Sequence, residues 1–255
     1  MPDYNMTQKL IQTMITFAMI SFLFFSCHEA TMQKNPGIIA VEITYNLPVV
    51  NWDSSITSVS RSYKVYYYKD YIMYEFGYRY DSNVNYQNIK SEIRNRFLIL
   101  RTGDRYGEFY YPEANPPFTD RVLIDSVLGS NALKENGFDT LVNFTSDSSY
   151  TDDQNNLVKV YRLPLSAEFP EQFTYYLYYN HDMEDVRETF SAKMDKIDDK
   201  KLFRVKSMAG GGYYEKLKMS FPPRQILYEM KKFPVRDPEK ILGYFDRYRK
   251  EHPES

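Results

Sequence analysis

The stretch from Tyr63 to Tyr80, YKVYYYKDYIMYEFGYRY, carries aromatic residues at odd and even positions alike. Side chains along a strand point alternately to its two faces, so a sheet with one wet face reads as apolar and polar residues in alternation. Here Tyr63, Val65 and Tyr67 share one face while Lys64, Tyr66 and Tyr68 share the other. The same holds from Phe173 to His181, where Phe173, Tyr175, Leu177 and Tyr179 oppose Tyr176 and Tyr178. Such strands must be covered at least partly on both sides. A curved sheet achieves this by wrapping one face around helices or around a ligand cavity.

Tyrosine dominates the composition, with 25 Tyr and 17 Phe against a single Trp, and these residues fall in extended-looking segments where aromatic side chains fit a pleated surface. Gly37 to Leu47 alternates in part, two strands meet about Lys69-Asp70, and Arg96 to Arg101 pairs with Arg105 to Tyr111 through Thr102-Gly103-Asp104, a short hairpin signal. Further strands are expected over 140–145, 157–163, 172–180, 202–208, 213–221 and 225–232. The fold class is mainly β (α+β): a curved antiparallel sheet or half-barrel of about ten strands, connected as a meander, with two or three helices including one at the C-terminus.

That last helix is the clearest. Asp237-Pro238-Glu239 supplies an N-cap, a proline at the first helical position and an acid in the first turn. Ile241, Leu242, Phe245 and Tyr248 then recur at helical spacing, giving a helix over about 237–250. A second helix is expected from Thr119 to Lys134 and a short third one from Glu184 to Met194. Prolines 112, 116 and 117 mark the break before the second, and Pro222-Pro223 marks a turn between late strands.

The N-terminus has a different character. After Lys9, the apolar run MITFAMISFLFF ends at Ser26-Cys27, which is the layout of a secretory signal: a basic start, an apolar segment of about a dozen residues and a small residue at the cut. A bilayer span takes about 20 predominantly apolar residues. The uncharged window from Leu10 to His28 leaves a tilted anchor helix open, weakened by five polar residues from Gln12 to Ser26. A buried core helix is the third reading. Cys27 is the only cysteine, and a lone thiol in an oxidising compartment is a liability that lipidation removes.

Phe24-Phe25-Ser26-Cys27 resembles a relaxed lipobox of the kind seen in Bacteroidetes lipoproteins. The resemblance implies removal of 1–26, lipidation at Cys27, a tether over 27–36 and a single β-rich domain over 37–255. Several buried acyl chains, at about 0.8 kcal/mol per methylene, hold a protein permanently to a membrane. His28, in place of an inner-membrane retention aspartate, points to the outer membrane, and the single acid Glu29 points to the periplasmic side. With GIIAVEITYNLP and the tyrosine-rich run that follows, the chain also resembles the LolA/LolB-type half-barrel lipoproteins. That likeness is one of pattern, carries no residue across, and implies a hydrophobic concavity for acyl chains or a lipidated partner.

Catalytic signals are sparse. The three histidines are scattered, and HExxH, CxxC, GxSxG and Walker patterns are all missing from the sequence. His181, Asp182 and Asp185 have the side chains to surround a cation, but a polar turn with acids at a helix start explains the same residues without a metal and is the reading preferred. The run from Asp195 to Lys201 lacks the glycine and the final glutamate of a calcium loop. Gly210-Gly211-Gly212 reads as a hairpin. No cofactor or metal is expected.

Acidic and basic residues nearly balance, 34 against 32, so no global charge calls for nucleic acid. The expected function is a membrane-anchored binding or carrier module for a hydrophobic ligand or lipidated partner, with Tyr67, Tyr175 and Tyr179 as wall residues. The alternative is an envelope-assembly or protein-interaction lipoprotein with a solid core. An enzyme is not expected.

Overall fold

The computed structural model describes residues 37–51, 55–84, 87–114, 118–128, 138–165, 172–214 and 218–253. The signal segment, Cys27 and the tether lie outside these residues. Gly37–Ser255 forms one compact unit.

Six strands follow one another outward as a meander: β1 (Ile39–Val50), β2 (Ile56–Tyr68), β3 (Tyr71–Val84), β4 (Gln87–Arg101), β5 (Tyr106–Tyr111) and β6 (Phe118–Leu123). A second meander runs inward through β7 (Ser148–Thr151), β8 (Leu157–Arg162), β9 (Phe173–Asn180) and β10 (Lys201–Ala209). A small β11–β12 pair (Gly212–Tyr214, Met219–Phe221) precedes β13 (Arg224–Lys232), which lies between β10 and β1. The result is one open antiparallel sheet of eleven strands in the order 6-5-4-3-2-1-13-10-9-8-7. β13 is the seam that joins the two meanders, pairing Val41↔Lys232 through Asn46↔Leu227 on one side and Arg204↔Glu229 through Ala209↔Arg224 on the other.

Both faces of the first meander are covered, whereas Tyr176 and Tyr178 on β9 are half-buried beneath Lys206 and Arg204. On the inner face, Val41, Val65, Leu98, Leu177, Tyr179 and Val205 form one core. On the outer face of the first meander, Ala40, Tyr66, Met73 and Ile99 form a second core beneath the C-terminal helix α3 (Pro238–Glu251). That helix starts as its sequence dictates. Asp237 accepts a hydrogen bond from the Lys240 amide at 3.0 Å, Pro238 follows the cap, and Ile241, Phe245 and Tyr248 are buried.

The inner face is filled by two connections. Between β9 and β10 the chain does not turn tightly. It makes a 3₁₀ turn (His181–Met183), continues through Phe190, and forms α2 (Ala192–Asp198), capped by the Ser191 hydroxyl. Between β6 and β7 it forms α1 (Ile124–Leu128) and a 3₁₀ turn (Asp139–Asn143). Met183, Val186, Phe190, Met194 and Leu141 from these connections belong to the inner core.

Three local expectations are corrected. Thr119 begins no helix: Phe118–Leu123 is a strand because it pairs along its whole length with β5, from Tyr111↔Phe118 to Tyr106↔Leu123; Ile124–Leu128 is helical, and the remainder of the expected helix, 129–134, lies outside the described residues. Residues 140–145 form no strand. Leu141 is pinned into the core and the Ser191 hydroxyl bonds Asp139, so a 3₁₀ turn results. The third helix starts eight residues later than expected, at Ala192, where Ser191 provides the cap.

Candidate functional site

Tyr67 and Tyr179 are fully enclosed in the inner core and Tyr175 is half-buried against Phe138. Tyr67 accepts the Glu188 amide at 3.4 Å and lies under the Arg187 guanidinium. Burial and the nearby Asp198 carboxylate push the Tyr179 phenol far above its ordinary range. These three rings are therefore packing elements of the core, spread over β2 and β9, and they contact the chain's own connections.

The inner core contains one polar nest. Tyr74 donates to Glu188 Oε1 at 2.6 Å, while Tyr63 Oη and Glu188 Oε2 are buried without a hydrogen-bond partner among the described residues. Burial pushes the Glu188 carboxyl up to about 8, because a charged carboxylate loses its hydration there. The cavity beside it measures about 60 Å³. Ligand pockets measure roughly 300–1,000 Å³, so this space is far too small for an acyl chain.

A larger concavity lies on the opposite face. A groove of about 760 Å³ runs between the sheet, the segment Phe233–Asp237 and the first turns of α3. Four rings form its apolar part: Tyr66 and Phe233 meet edge to face at 5.7 Å, and Phe97 and Tyr244 approach to 4.6 Å. Charges of both signs rim it, with Glu42 and Glu113 set against Arg236 and Lys240. The polar floor is internally satisfied: Tyr66 donates to Glu75 at 2.7 Å and Lys64 bridges Glu75 at 3.7 Å. Burial and the Glu75 hydrogen bond raise the Tyr66 phenol well above its usual range, and burial with nearby Tyr110 pushes Tyr244 up to about 12. Both rings are thus neutral hydrogen-bonding groups at physiological pH. The sequence marked Tyr66 as belonging to a second covered face, but nothing local announced that a helix some 170 positions later would cover it.

His181, Asp182 and Asp185 lie on an exposed turn. His181 contacts Glu184, Asp185 bridges Lys232 at 2.5 Å, and the Asp182 amide is taken by Asn180 Oδ1. These contacts are those of a capped polar turn. Glu108, Glu251 and His252 also bring ligand-type atoms within 4.8 Å of one another, with Arg247 bridging the two glutamates at 3.7 and 2.7 Å. The cation already present in that cluster accounts for its carboxylates.

Comparison with protein-family models, with curated proteins and with solved structures found no match.

Proposed function

We propose that the chain is a membrane-tethered interaction protein with a solid core, anchored through lipid on Cys27, that binds a protein partner in the groove between the sheet and α3. The observation that carries this reading is the occupancy of the inner face. Phe190, Met194, Met183 and Leu141 fill the space a lipid carrier would keep open; the cavity left beside them measures about 60 Å³, and the larger inner-face space of about 370 Å³ is an open niche lined by Arg61 and Arg96, which does not suit an acyl chain. The groove combines aromatic rings with a charged rim of both signs, the pattern of protein contact surfaces, where large stiff rings supply area and polar groups fix register.

The test places a photo-crosslinking amino acid at Lys240, on the groove rim, or at Ile197, exposed on α2 as a control. In native membranes the Lys240 position is expected to give a discrete protein adduct that disappears when Arg236→Trp fills the groove. Adducts with lipid alone, or a protein adduct indifferent to Arg236→Trp, would overturn the reading.

A further inference from the structure

The groove does not account for the long hairpins at the other end of the first meander. β2 and β3 are hydrogen-bonded to each other only from Lys64↔Glu75 to Tyr68↔Tyr71. Beyond that point β2 pairs with β1 alone, from Ile43↔Tyr63 to Val50↔Ile56, and β3 pairs with β4 alone, from Phe76↔Arg96 to Val84↔Gln87. The sheet forks there. We infer that the edge of β2 facing this fork, Ile56–Tyr63, is a strand-addition site for an acidic, extended segment of a partner protein.

Two independent observations support it. The first is the backbone. Along Ile56–Tyr63 every second N–H and C=O points away from β1, and among the described residues no strand meets them. Free edges are normally blunted by proline, by several charges or by a covering element. This one has no proline and a single charge, Arg61, and it leaves Ile56 and Val59 exposed. Such an edge selects an extended main chain whatever its side chains.

The second observation is the niche where the strands part, of about 370 Å³. Its floor is apolar, with Tyr63 and Phe76 stacked at 5.8 Å and Tyr45 beside them. Arg61 and Arg96 line it, and among the described residues no carboxylate does. Arg96 is held over the Phe109 ring at 4.3 Å and donates to the Tyr111 hydroxyl at 3.3 Å. Both contacts are to neutral groups, and among the described residues no carboxylate pairs with it. Arg61 is exposed and forms no ion pair with a described residue. Two guanidiniums over an aromatic floor are complementary to a carboxylate. A second copy of this chain fits poorly, because its own β2 edge, residues 56–63, carries no carboxylate to meet the two guanidiniums. The niche opens on the inner face, whereas the groove lies on the outer one, so the two surfaces are separate.

The probe is a capped, fluorescein-labelled octapeptide of alternating valine and glutamate, titrated against the full-length chain in mild detergent. Saturable binding is expected, with slowed amide exchange across 56–63. Arg61→Glu should weaken binding at least tenfold, and Arg61→Gln, which removes the charge without reversing it, should cause a smaller loss. Methylating alternate amide nitrogens of the peptide should abolish both signals, since it removes main-chain donors and leaves the glutamates intact. Arg236→Trp should abolish the groove crosslink and leave the peptide affinity as it was, so failure of one surface does not imitate failure of the other. The inference is overturned by the absence of saturable binding, by equal binding of the methylated peptide, or by an affinity indifferent to both Arg61 variants. Arg61-dependent capture of phosphatidylglycerol vesicles without peptide binding, or protection of 56–63 by concentration-dependent dimerisation alone, would overturn it as well.

Discussion

The Tyr74 hydroxyl donates to Glu188 Oε1 at 2.6 Å across 114 positions of sequence, tying β3 to the connection that fills the inner face of the sheet. The bond joins the first meander to the second by a route the backbone ladder does not use. Its acceptor is a carboxyl whose burial raises it to about 8 from an ordinary value of 4.5. A raised folded-state value means that the folded protein holds a proton the unfolded chain releases. The stabilisation linked to that proton is complete below pH 4.5 and is lost as the pH rises through about 8. Urea unfolding of the full chain between pH 5 and 9 should show Glu188→Gln gaining on the wild type as pH rises, by at most about 1.4 kcal/mol per pH unit for a single proton. Parallel curves for the two proteins would show that Glu188 does not titrate in this window.

Phe245 is the central anchor of the C-terminal helix, buried against Tyr68 and Tyr71 with ring centroids 5.8 and 6.4 Å away. Removing a buried phenylalanine costs about 3–5 kcal/mol, so Phe245→Ala should lower unfolding stability by that amount and free the helix to exchange. Asp237→Ala, which removes only the cap, should cost about 1 kcal/mol. Equal effects of the two changes in chemical denaturation would contradict the division between cap and core.

Gly107 on β5 has no room for a side chain. A Cβ there would meet Leu98 Cδ1 at 2.9 Å and the Ile99 carbonyl oxygen at 3.0 Å. The leucine tip can rotate away, but the backbone oxygen cannot without moving β4. Gly107→Ala is therefore expected to destabilise the fold by about 1–3 kcal/mol, the usual cost of overpacking. A denaturation midpoint equal to that of the wild type would show that β5 shifts freely.

The proposed anchor makes a separate prediction. With Cys27 replaced by Ala, the chain should leave the membrane fraction while its unfolding transition stays unchanged, because the described sheet is built from residues 37 onward. Persistence in the membrane would favour the alternative anchor helix over Leu10 to His28.

Much of this architecture was legible in the sequence. Asp237-Pro238-Glu239 and the spacing of Ile241, Phe245 and Tyr248 located α3 almost to the residue, because caps and amphipathic spacing are local signals. Thr102-Gly103-Asp104 located the β4–β5 turn, where Gly103 takes a φ of +90° that other residues rarely adopt. The doubly aromatic stretch from Tyr63 correctly required two covers, whereas Tyr176 and Tyr178 are half-buried under the Lys206 and Arg204 side chains. What covers that stretch was hidden, since Phe190 and Met194 fell at the end of an expected short helix with no sheet yet there to receive them. Thr119 misled for the same reason: pairing with β5, a non-local event, overrode a plausible cap. The groove was legible only in pieces, because Tyr66 and Tyr244 meet through packing that no local pattern encodes.

The central claim is that the inner face is filled by the chain itself and that recognition occurs at its surfaces. The most direct test is native mass spectrometry of the full chain, taken from its membrane in mild detergent and stripped of detergent in the gas phase. The account predicts the mass of the protein plus its covalent anchor, with any additional mass being protein that Arg236→Trp removes. A noncovalently bound lipid retained after activation, released only on unfolding, would contradict it and restore the carrier reading.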